Sequence, residues 1–118
     1  MIAVSEPAKF LCICHYGHSR SVALARVLHA RGYPAVAIGH ATSADAVRAL
    51  AEWADVICPL DVGHDSHVPT HLRAKVTHAF QVGPDRWSNP YNTDLLKLLD
   101  GKAESFLTVR NWPTRKGL

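Results

Sequence analysis

The feature that most constrains the fold is a regular alternation of short apolar runs with amphipathic stretches. The apolar runs have the length and composition of buried strands, and they cover residues 9–14, 34–39, 55–60 and 76–83. The amphipathic stretches carry apolar residues at helical spacing, and they cover residues 21–29, 42–54 and the segment from 93 onward. This alternation implies parallel strands joined by crossover helices.

The order of these segments predicts a three-layer α/β/α domain with a four-stranded parallel sheet. The chain has 118 residues, enough for one modest hydrophobic core, and no repeat or linker divides it. We therefore expect a single domain over residues 1–118. Gly101 lies inside the last amphipathic stretch and is a candidate for a bend or an end of the last helix.

Composition limits the partners and the compartment that we expect. The formal net charge is only +3 and no run of five basic residues occurs, so nucleic acid is not an expected partner. No apolar stretch approaches the roughly 18 residues of a membrane span, and the N-terminus lacks the pattern of a signal peptide. Three cysteines, an odd number, favour free thiols in a reducing compartment, so the expected location is the cytoplasm.

The most informative segment is "FLCICHYGHSRSVAL", residues 10–24. Cys14 lies at the end of the first predicted strand, and Ser21 lies at the start of the first helix. Ligands of parallel α/β folds bind beyond the carboxyl ends of the strands, near helix N-termini. Gly17 allows a sharp turn with inward N–H groups, and Arg20 adds a cationic fork. The sequence therefore predicts a phosphate-binding loop after strand 1.

The residue types in this loop favour a particular chemistry. Arg20 can hold two phosphate oxygens, and the amides of residues 15–20 can hold the others. The positive field of the helix terminus favours the thiolate of Cys14, and Ser21 can donate a hydrogen bond to the sulfur. A thiolate beside a bound phosphate monoester is placed for in-line attack, which gives a phosphocysteine intermediate.

The spacing of cysteine, five residues, arginine and serine resembles the signature of protein tyrosine phosphatases. Its place, directly after the first strand, resembles low-molecular-weight protein tyrosine phosphatases, especially short bacterial and phage-type relatives. "WADVICPL" looks like the third strand of that family, and "VGPDRWSNPYNTDLLKLL" is similar to its late acid loop and following helix. The resemblance covers about residues 9–99.

The resemblance implies roles for individual residues. Cys14 would be the nucleophile, Arg20 would bind phosphate, and Asp85 would protonate the leaving oxygen and then activate water. Trp87 and Tyr91 flank Asp85 and could wall a pocket for an aromatic ring. The expected substrate-binding residues are His15, Tyr16, Gly17, His18, Ser19, Ser21, Trp87 and Tyr91. The implied enzyme hydrolyses aryl phosphate monoesters, on a phosphorylated protein or a small molecule, without metal or cofactor.

Some positions depart from the family pattern. The family often has a second cysteine before the arginine, where this chain has Ser19, and its acid is often an aspartate followed by proline. Here the corresponding dipeptide is Asn89-Pro90. If Asn89 takes the place of the acid, the chain would be a non-catalytic phosphate-binding or phosphoprotein-binding module. Asp61, which follows the third strand, is the reserve candidate for the acid.

Other functions and simpler interpretations remain open. Arsenate would fit the same loop, but its reduction needs resolving thiols, and only Cys12 and Cys58 are available. A phosphorylated cysteine of the sugar-transport type would not require Arg20. Alone, Cys14 would be interpreted as a buried structural thiol. Cys58 is expected in the core, as is Cys12, although its nearness to Cys14 allows a protective disulfide.

Two groups of residues have spacings that could suit a metal. The first is His64, His67 and His71, and the second is Cys12, Cys14, His15 and His18. Neither has the paired knuckles of structural zinc sites, and a cation on Cys14 would lie beside the positive charge of Arg20. We therefore expect no metal site and interpret residues 61–71 as a solvated loop.

Overall fold

The computed structural model describes residues 6–15, 19–41, 44–84, 86–87 and 89–115. Within these residues the strands and α-helices follow the order β1 (Phe10–Cys14), α1 (Arg20–Ala30), β2 (Ala35–Gly39), α2 (Ala44–Trp53), β3 (Val56–Pro59) and α3 (Thr93–Val109). Two short 3-10 helices, His64–His67 and Thr70–Lys75, lie between β3 and α3. The predicted α/β class is confirmed.

The sheet is parallel, with the strand order β2-β1-β3. All five residues of β1 are buried, as expected for the central strand. Cys14 pairs with Gly39 of β2, and Ile13 pairs with Pro59 of β3. Because parallel strands end at the same edge of a sheet, the segments after all three strands meet around Cys14.

Alternate residues of β1 face two different hydrophobic layers. Phe10, Cys12 and Cys14 face a core cluster formed mainly with α1 and α3. Leu11 and Ile13 face a second cluster, formed with α2 and the Thr70–Lys75 helix. The period of two along a strand produces this division. It confirms the expected three layers and directs Cys14 towards α1.

The expectation of a fourth strand over residues 76–83 is wrong, because the sheet in the described residues has three strands. A single parallel bridge joins Val76 to Ile57, and the N–H of Thr77 donates to the carbonyl of Ile57 at 2.9 Å. The backbone polar groups of Ile57 therefore point to the outer edge of β3, and so does the backbone nitrogen of Pro59, two residues later. Proline has no N–H to donate, so the ladder ends, and the chain turns to bury Phe80 in the core.

The last helix continues through Gly101 to Val109, so the predicted break at this glycine is also wrong. Its start is capped, since the Oδ1 atom of Asn92 accepts a hydrogen bond of 3.1 Å from the N–H of Leu95. Buried residues on both sides of Gly101, including Leu99 and Ala103, hold the helix against the core. None of the helices in the described ranges has the length and apolar character needed to cross a bilayer.

Candidate active site

The sulfur of Cys14 lies beside a hydroxyl at the start of the first helix. Its Sγ atom is 2.9 Å from the Oγ atom of Ser21, and both side chains are buried. Cys14 is the last residue of β1 and faces α1, while Ser21 lies in the first turn of α1. The hydroxyl can donate to the sulfur, which stabilises a thiolate more than a thiol.

The turn between β1 and α1 is described at its two ends. The carbonyl of Ser19 accepts the first helical hydrogen bond, from the N–H of Ala23 at 2.9 Å. By helix geometry, the first N–H groups of α1 have no partners within the helix and lie at its positive terminus. The predicted contributions of Tyr16, Gly17 and His18 lie outside the described residues.

Arg20 is buried, with 3% of the residue exposed, and one arm of its guanidinium is anchored. Its Nη1 atom donates to the carbonyls of Leu60, at 3.3 Å, and Gly83, at 2.9 Å. The same atom lies 3.3 Å from the Oδ2 atom of Asp61. Its Nε atom is also buried and has no hydrogen-bond partner within the described part of the chain. An anchored guanidinium with a buried N–H to spare is suited to binding an oxyanion.

Asp61, the reserve candidate for the acid, is held by Arg20. Its side chain is 37% exposed, and its Oδ1 atom also accepts a hydrogen bond of 2.9 Å from the N–H of Val62. The geometry therefore gives Asp61 a direct means of orienting the guanidinium.

The late loop places its aromatic residues in different environments. Asp85 lies outside the described residues. Trp87 is 8% exposed and belongs to the core, whereas Tyr91 is 65% exposed, with the guanidinium of Arg26 4.3 Å from its ring centroid. The Oδ1 atom of Asn89 accepts a hydrogen bond of 2.8 Å from the N–H of Tyr91. The Asn89 side chain thus stabilises its own turn, and Tyr91 is the aromatic side chain that solvent reaches.

Four histidines meet beside Cys14, and only part of this group was noticed in the sequence. We call His15, His40, His64 and His67 the histidine cluster. The Nδ1 atom of His15 is 3.3 Å from the Nε2 atom of His40. The His40 ring stacks on His67 with centroids 3.8 Å apart, and its centroid is 4.5 Å from that of His64. The backbone N–H of His40 donates to the backbone carbonyl of Cys14 at 3.1 Å, which holds the cluster at the end of β1.

The surroundings of two cluster residues, His40 and His64, disfavour positive charge on their rings. Burial, and then the neighbouring rings of His67, His64 and His15, lower the pKa of His40 to about 4. Burial also lowers the pKa of His64, and nearby Arg20 acts in the same direction, whereas Asp61 opposes it. These imidazoles therefore tend to be neutral at neutral pH.

His64, His67 and His71, whose spacing could suit a metal, do not come together as one group. The Nε2 atom of His71 instead lies 2.9 Å from the Oε1 atom of Glu52 on α2. Within the described ranges, no three histidine, cysteine, aspartate or glutamate side chains are arranged to hold a metal ion. His40 was missed because it follows a different strand, but its place directly after β2 puts it at the carboxyl edge of the sheet. That rule of parallel sheets could have found it.

The other two cysteines are buried thiols in the core. Burial raises the pKa of Cys12, and Cys14 adds to this effect. Burial also raises the pKa of Cys58, which pairs with Cys12 across β1 and β3. Both thiols should therefore stay protonated and unreactive at neutral pH.

The fold is a parallel α/β sheet, and the carboxyl edge of the sheet carries a buried sulfur and an anchored arginine. Such an edge is suited to binding anions. Comparison with solved structures identifies this fold among bacterial tyrosine phosphatases. Wzb of Vibrio vulnificus, in complex with benzylphosphonate, has a TM-score of 0.58 and 17% identity, with 88% of this chain and 99% of that one covered.

Two further structures agree. Wzb of Escherichia coli K30, in complex with phosphate, has a TM-score of 0.59 and 15% identity over 88% of this chain and 99% of that one. The tyrosine phosphatase AmsI of Erwinia amylovora has a TM-score of 0.61 and 13% identity over 92% of this chain and 97% of that one. No protein-family model and no curated protein matches the sequence. The resemblance predicted from the sequence is thus confirmed at the level of the fold.

Proposed function

We propose that this protein is a cysteine-dependent phosphatase that hydrolyses aryl phosphate monoesters. One observation carries the proposal: the Sγ atom of Cys14 lies 2.9 Å from the Oγ atom of Ser21, at the N-terminus of the helix that also bears buried Arg20. This arrangement joins a nucleophile, a donor that stabilises it and a cation for the phosphate. The fold shared with Wzb and AmsI supports the same conclusion.

The reaction has two displacements. In the first, the thiolate of Cys14 attacks phosphorus, a sulfur–phosphorus bond forms, and the bond between phosphorus and the aryl oxygen breaks. The leaving oxygen takes a proton from a general acid. In the second, water attacks phosphorus, gives a proton to the same group and releases inorganic phosphate and the thiolate. Arg20 and the N–H groups at the start of α1 stabilise the charge on the transferring phosphoryl group.

Asp85 is the proposed general acid, because it lies two residues after Gly83, whose carbonyl contacts Arg20. Asp61 is a weaker candidate, since its carboxylate is already engaged by the guanidinium of Arg20. We assign Asp61 to holding the guanidinium in place. Asparagine at either position would separate these roles. Asp85→Asn should slow the reaction most for poor leaving groups, whereas Asp61→Asn should mainly weaken phosphate binding.

An aromatic substrate is proposed from the surroundings of the site. Tyr91 offers an exposed ring on the late loop, and benzylphosphonate, the ligand of the Vibrio protein, carries an aromatic ring next to a phosphorus oxyanion. Phosphotyrosine likewise carries an aromatic ring close to a phosphorus oxyanion, so a phosphorylated protein is the proposed substrate. The reaction as written needs no metal ion, because Arg20 and backbone N–H groups supply the positive field.

Hydrolysis of p-nitrophenyl phosphate tests the proposal. The parent protein should hydrolyse it. Cys14→Ser should reduce kcat by about 1,000-fold or more, because the serine hydroxyl is a poor nucleophile near neutral pH. Cys58→Ala is the matched control, since it removes a buried thiol from the core and should leave kcat within about twofold. Rapid quenching in acid should trap a phosphorylated Cys14 that mass spectrometry detects. Turnover that survives Cys14→Ser would contradict the mechanism.

A further inference from the structure

The histidine cluster lies next to the candidate active site and has no part in the reaction proposed above. It draws one residue from the end of β1, one from the end of β2 and two from the His64–His67 helix. His15 and His67 are exposed, while His40 and His64 are partly buried, so a ligand in solvent can reach the group. Ring contacts connect all four residues.

Two histidines outside the cluster have acidic partners, whereas His29 contacts the carbonyl of Ala35 at 2.8 Å. His71 pairs with Glu52 at 2.9 Å, and His78 pairs with Asp65 at 2.8 Å. No carboxylate hydrogen-bonds to His40, His64 or His67 in the part of the chain that the structure describes. The imidazoles of His40, His64 and His67 are therefore not committed to a carboxylate hydrogen bond, and the ring of His67 is exposed to solvent.

The arrangement of the rings favours an anion over a cation as an external group. Asp61 and Arg20 act on the pKa of His64 in opposite directions, Asp61 raising it and Arg20 lowering it, and the two side chains pair with each other at 3.3 Å. A cation is less suitable, because the stacked rings of His40 and His67 turn their faces to each other rather than directing nitrogen atoms to a common point. A bound anion would instead compensate the repulsion that protonation creates.

We propose that the histidine cluster is a subsite for a second acidic group of the substrate, next to the phosphate bound by Arg20. This inference rests on the phosphatase function proposed above. The second group is a carboxylate or a phosphate, since both offer oxygen acceptors to imidazole N–H groups. Glutamate, aspartate or phosphoserine beside a phosphotyrosine would supply it.

Binding at this subsite takes up a proton. In the free protein the surroundings of His40 disfavour its charged form, and an anion beside this ring would raise its pKa, so the complex holds more protons than the free protein. Linkage then requires tighter binding at lower pH, by up to about tenfold per pH unit for each proton taken up. Preference for acidic substrates should accordingly fall as the pH rises from 5.5 to 7.5.

Matched peptides test this inference. Two phosphotyrosine peptides of one length, with flanking glutamates or glutamines, are compared by kcat/KM at pH 5.5, 6.5 and 7.5. The parent should prefer the glutamate peptide about tenfold at pH 5.5 and less than about twofold at pH 7.5. A third peptide, with phosphoserine in place of glutamate, tells phosphate from carboxylate as the favoured group. A preference for either peptide over the glutamine peptide that grows as the pH falls supports the subsite.

Variants locate the effect in the protein. His40→Gln and His67→Gln should reduce the preference to about onefold at every pH, whereas His71→Gln, outside the cluster, should keep it. Thermal unfolding checks that each variant is folded. A preference that does not depend on pH, or that survives both cluster substitutions, would overturn the inference.

A binding measurement separates this inference from the proposed function. The same peptides with a non-hydrolysable phosphonate in place of the phosphate are titrated by calorimetry in two buffers of different ionisation enthalpy. Proton uptake with the glutamate peptide, absent in His40→Gln, supports the subsite even if turnover fails. Equal binding of both peptides overturns it. Inhibition by micromolar Zn²⁺ that His40→Gln abolishes would also overturn it, because the cluster would then be a metal site.

Discussion

The guanidinium of Arg20 and the carbonyl of Gly83 are joined by a hydrogen bond of 2.9 Å between residues 63 positions apart in the sequence. The bond ties the start of the first helix to the loop that carries the candidate acid. Gly83 has a φ of +81°, a conformation that other residues adopt with difficulty. The orientation of the arginine thus depends on a glycine in the second half of the chain.

Gly83→Ala should reduce catalysis more than it reduces stability. A Cβ atom at this position meets nothing within 4 Å, so the cost arises from the backbone conformation, about 1 kcal/mol. Relaxation of that strain would move the carbonyl away from Arg20. Gly63→Ala is the control, because Gly63 has a φ of +84° and the same open space but no contact with Arg20. We expect the two variants to unfold at similar temperatures, with only Gly83→Ala losing about tenfold in kcat/KM for p-nitrophenyl phosphate. Equal kcat/KM in both would refute the role of Gly83.

Arg20→Lys should lower kcat/KM by about 100-fold or more, because an ammonium group cannot keep both carbonyl contacts and also bind two phosphate oxygens. Arg31→Lys provides the comparison. Arg31 is also buried, but it lies just beyond the end of α1 and pairs with Asp100, at 2.9 Å, and with Glu104. That variant should lose stability and keep its kcat. Steady-state kinetics and thermal unfolding of both variants decide the matter, and an active Arg20→Lys would contradict the proposal.

Ser21→Ala should slow turnover by about 10- to 100-fold, since it removes a hydrogen bond to a charged sulfur. Alkylation of Cys14 by iodoacetamide should slow as well, because the reacting sulfur loses the hydrogen bond from Ser21. Ser66→Ala removes a hydroxyl that donates to the carbonyl of Gly63 at 3.0 Å, on the exposed loop. It should change neither rate, and parallel losses in the two variants would exclude a specific role for Ser21.

Labelling should distinguish Cys14 from the other thiols. Burial raises the pKa of Cys12 and of Cys58, so both should resist thiol reagents in the folded protein at pH 7. We expect Cys14→Ser to show almost no labelling until it is unfolded, when two thiols become reactive. Fast labelling of the folded variant would mean that the core opens readily. It would also restore Cys12 as a partner for a protective disulfide.

Protonation of His40 should make the fold less stable in acid. Its pKa is about 4 in the folded protein, below the ordinary value of 6.5, so the unfolded chain binds the proton first as the pH falls. Stability is therefore lost between about pH 6.5 and pH 4. After allowance for the solvent that reaches the ring, the loss is about 1–2 kcal/mol. Denaturation by urea at several pH values should show a smaller loss in His40→Gln than in the parent or in His71→Gln. Identical pH profiles of stability for the parent and His40→Gln would show that His40 does not cause the loss.

The sequence was sufficient where structure depends on neighbouring residues. The apolar run that ends at Cys14 and the helical periodicity of the segment after it predict the central strand and α1. The chain order of strands and helices then gave the three layers. The fourth strand failed for a reason that is also local, because Pro59 removes the N–H that the next rung of the ladder needs.

Contacts between distant segments were less accessible. Nothing near Arg20 in the sequence indicates that the carbonyls of Leu60 and Gly83 would hold it. Likewise, the histidine cluster joins His15, His40 and His64, which follow three different strands. Such groups become visible only when strand order is combined with the rule that parallel strands end together.

The proline that ends the ladder also affects how the protein behaves among its own copies. The outer edge of β3 has Val76 and Thr77 along one part and Pro59 along another. An incoming strand from a second molecule would find one position already paired and the next without a donor. Edge-to-edge aggregation in concentrated solution is therefore disfavoured on that side, because Pro59 lacks the backbone N–H that an added strand would need.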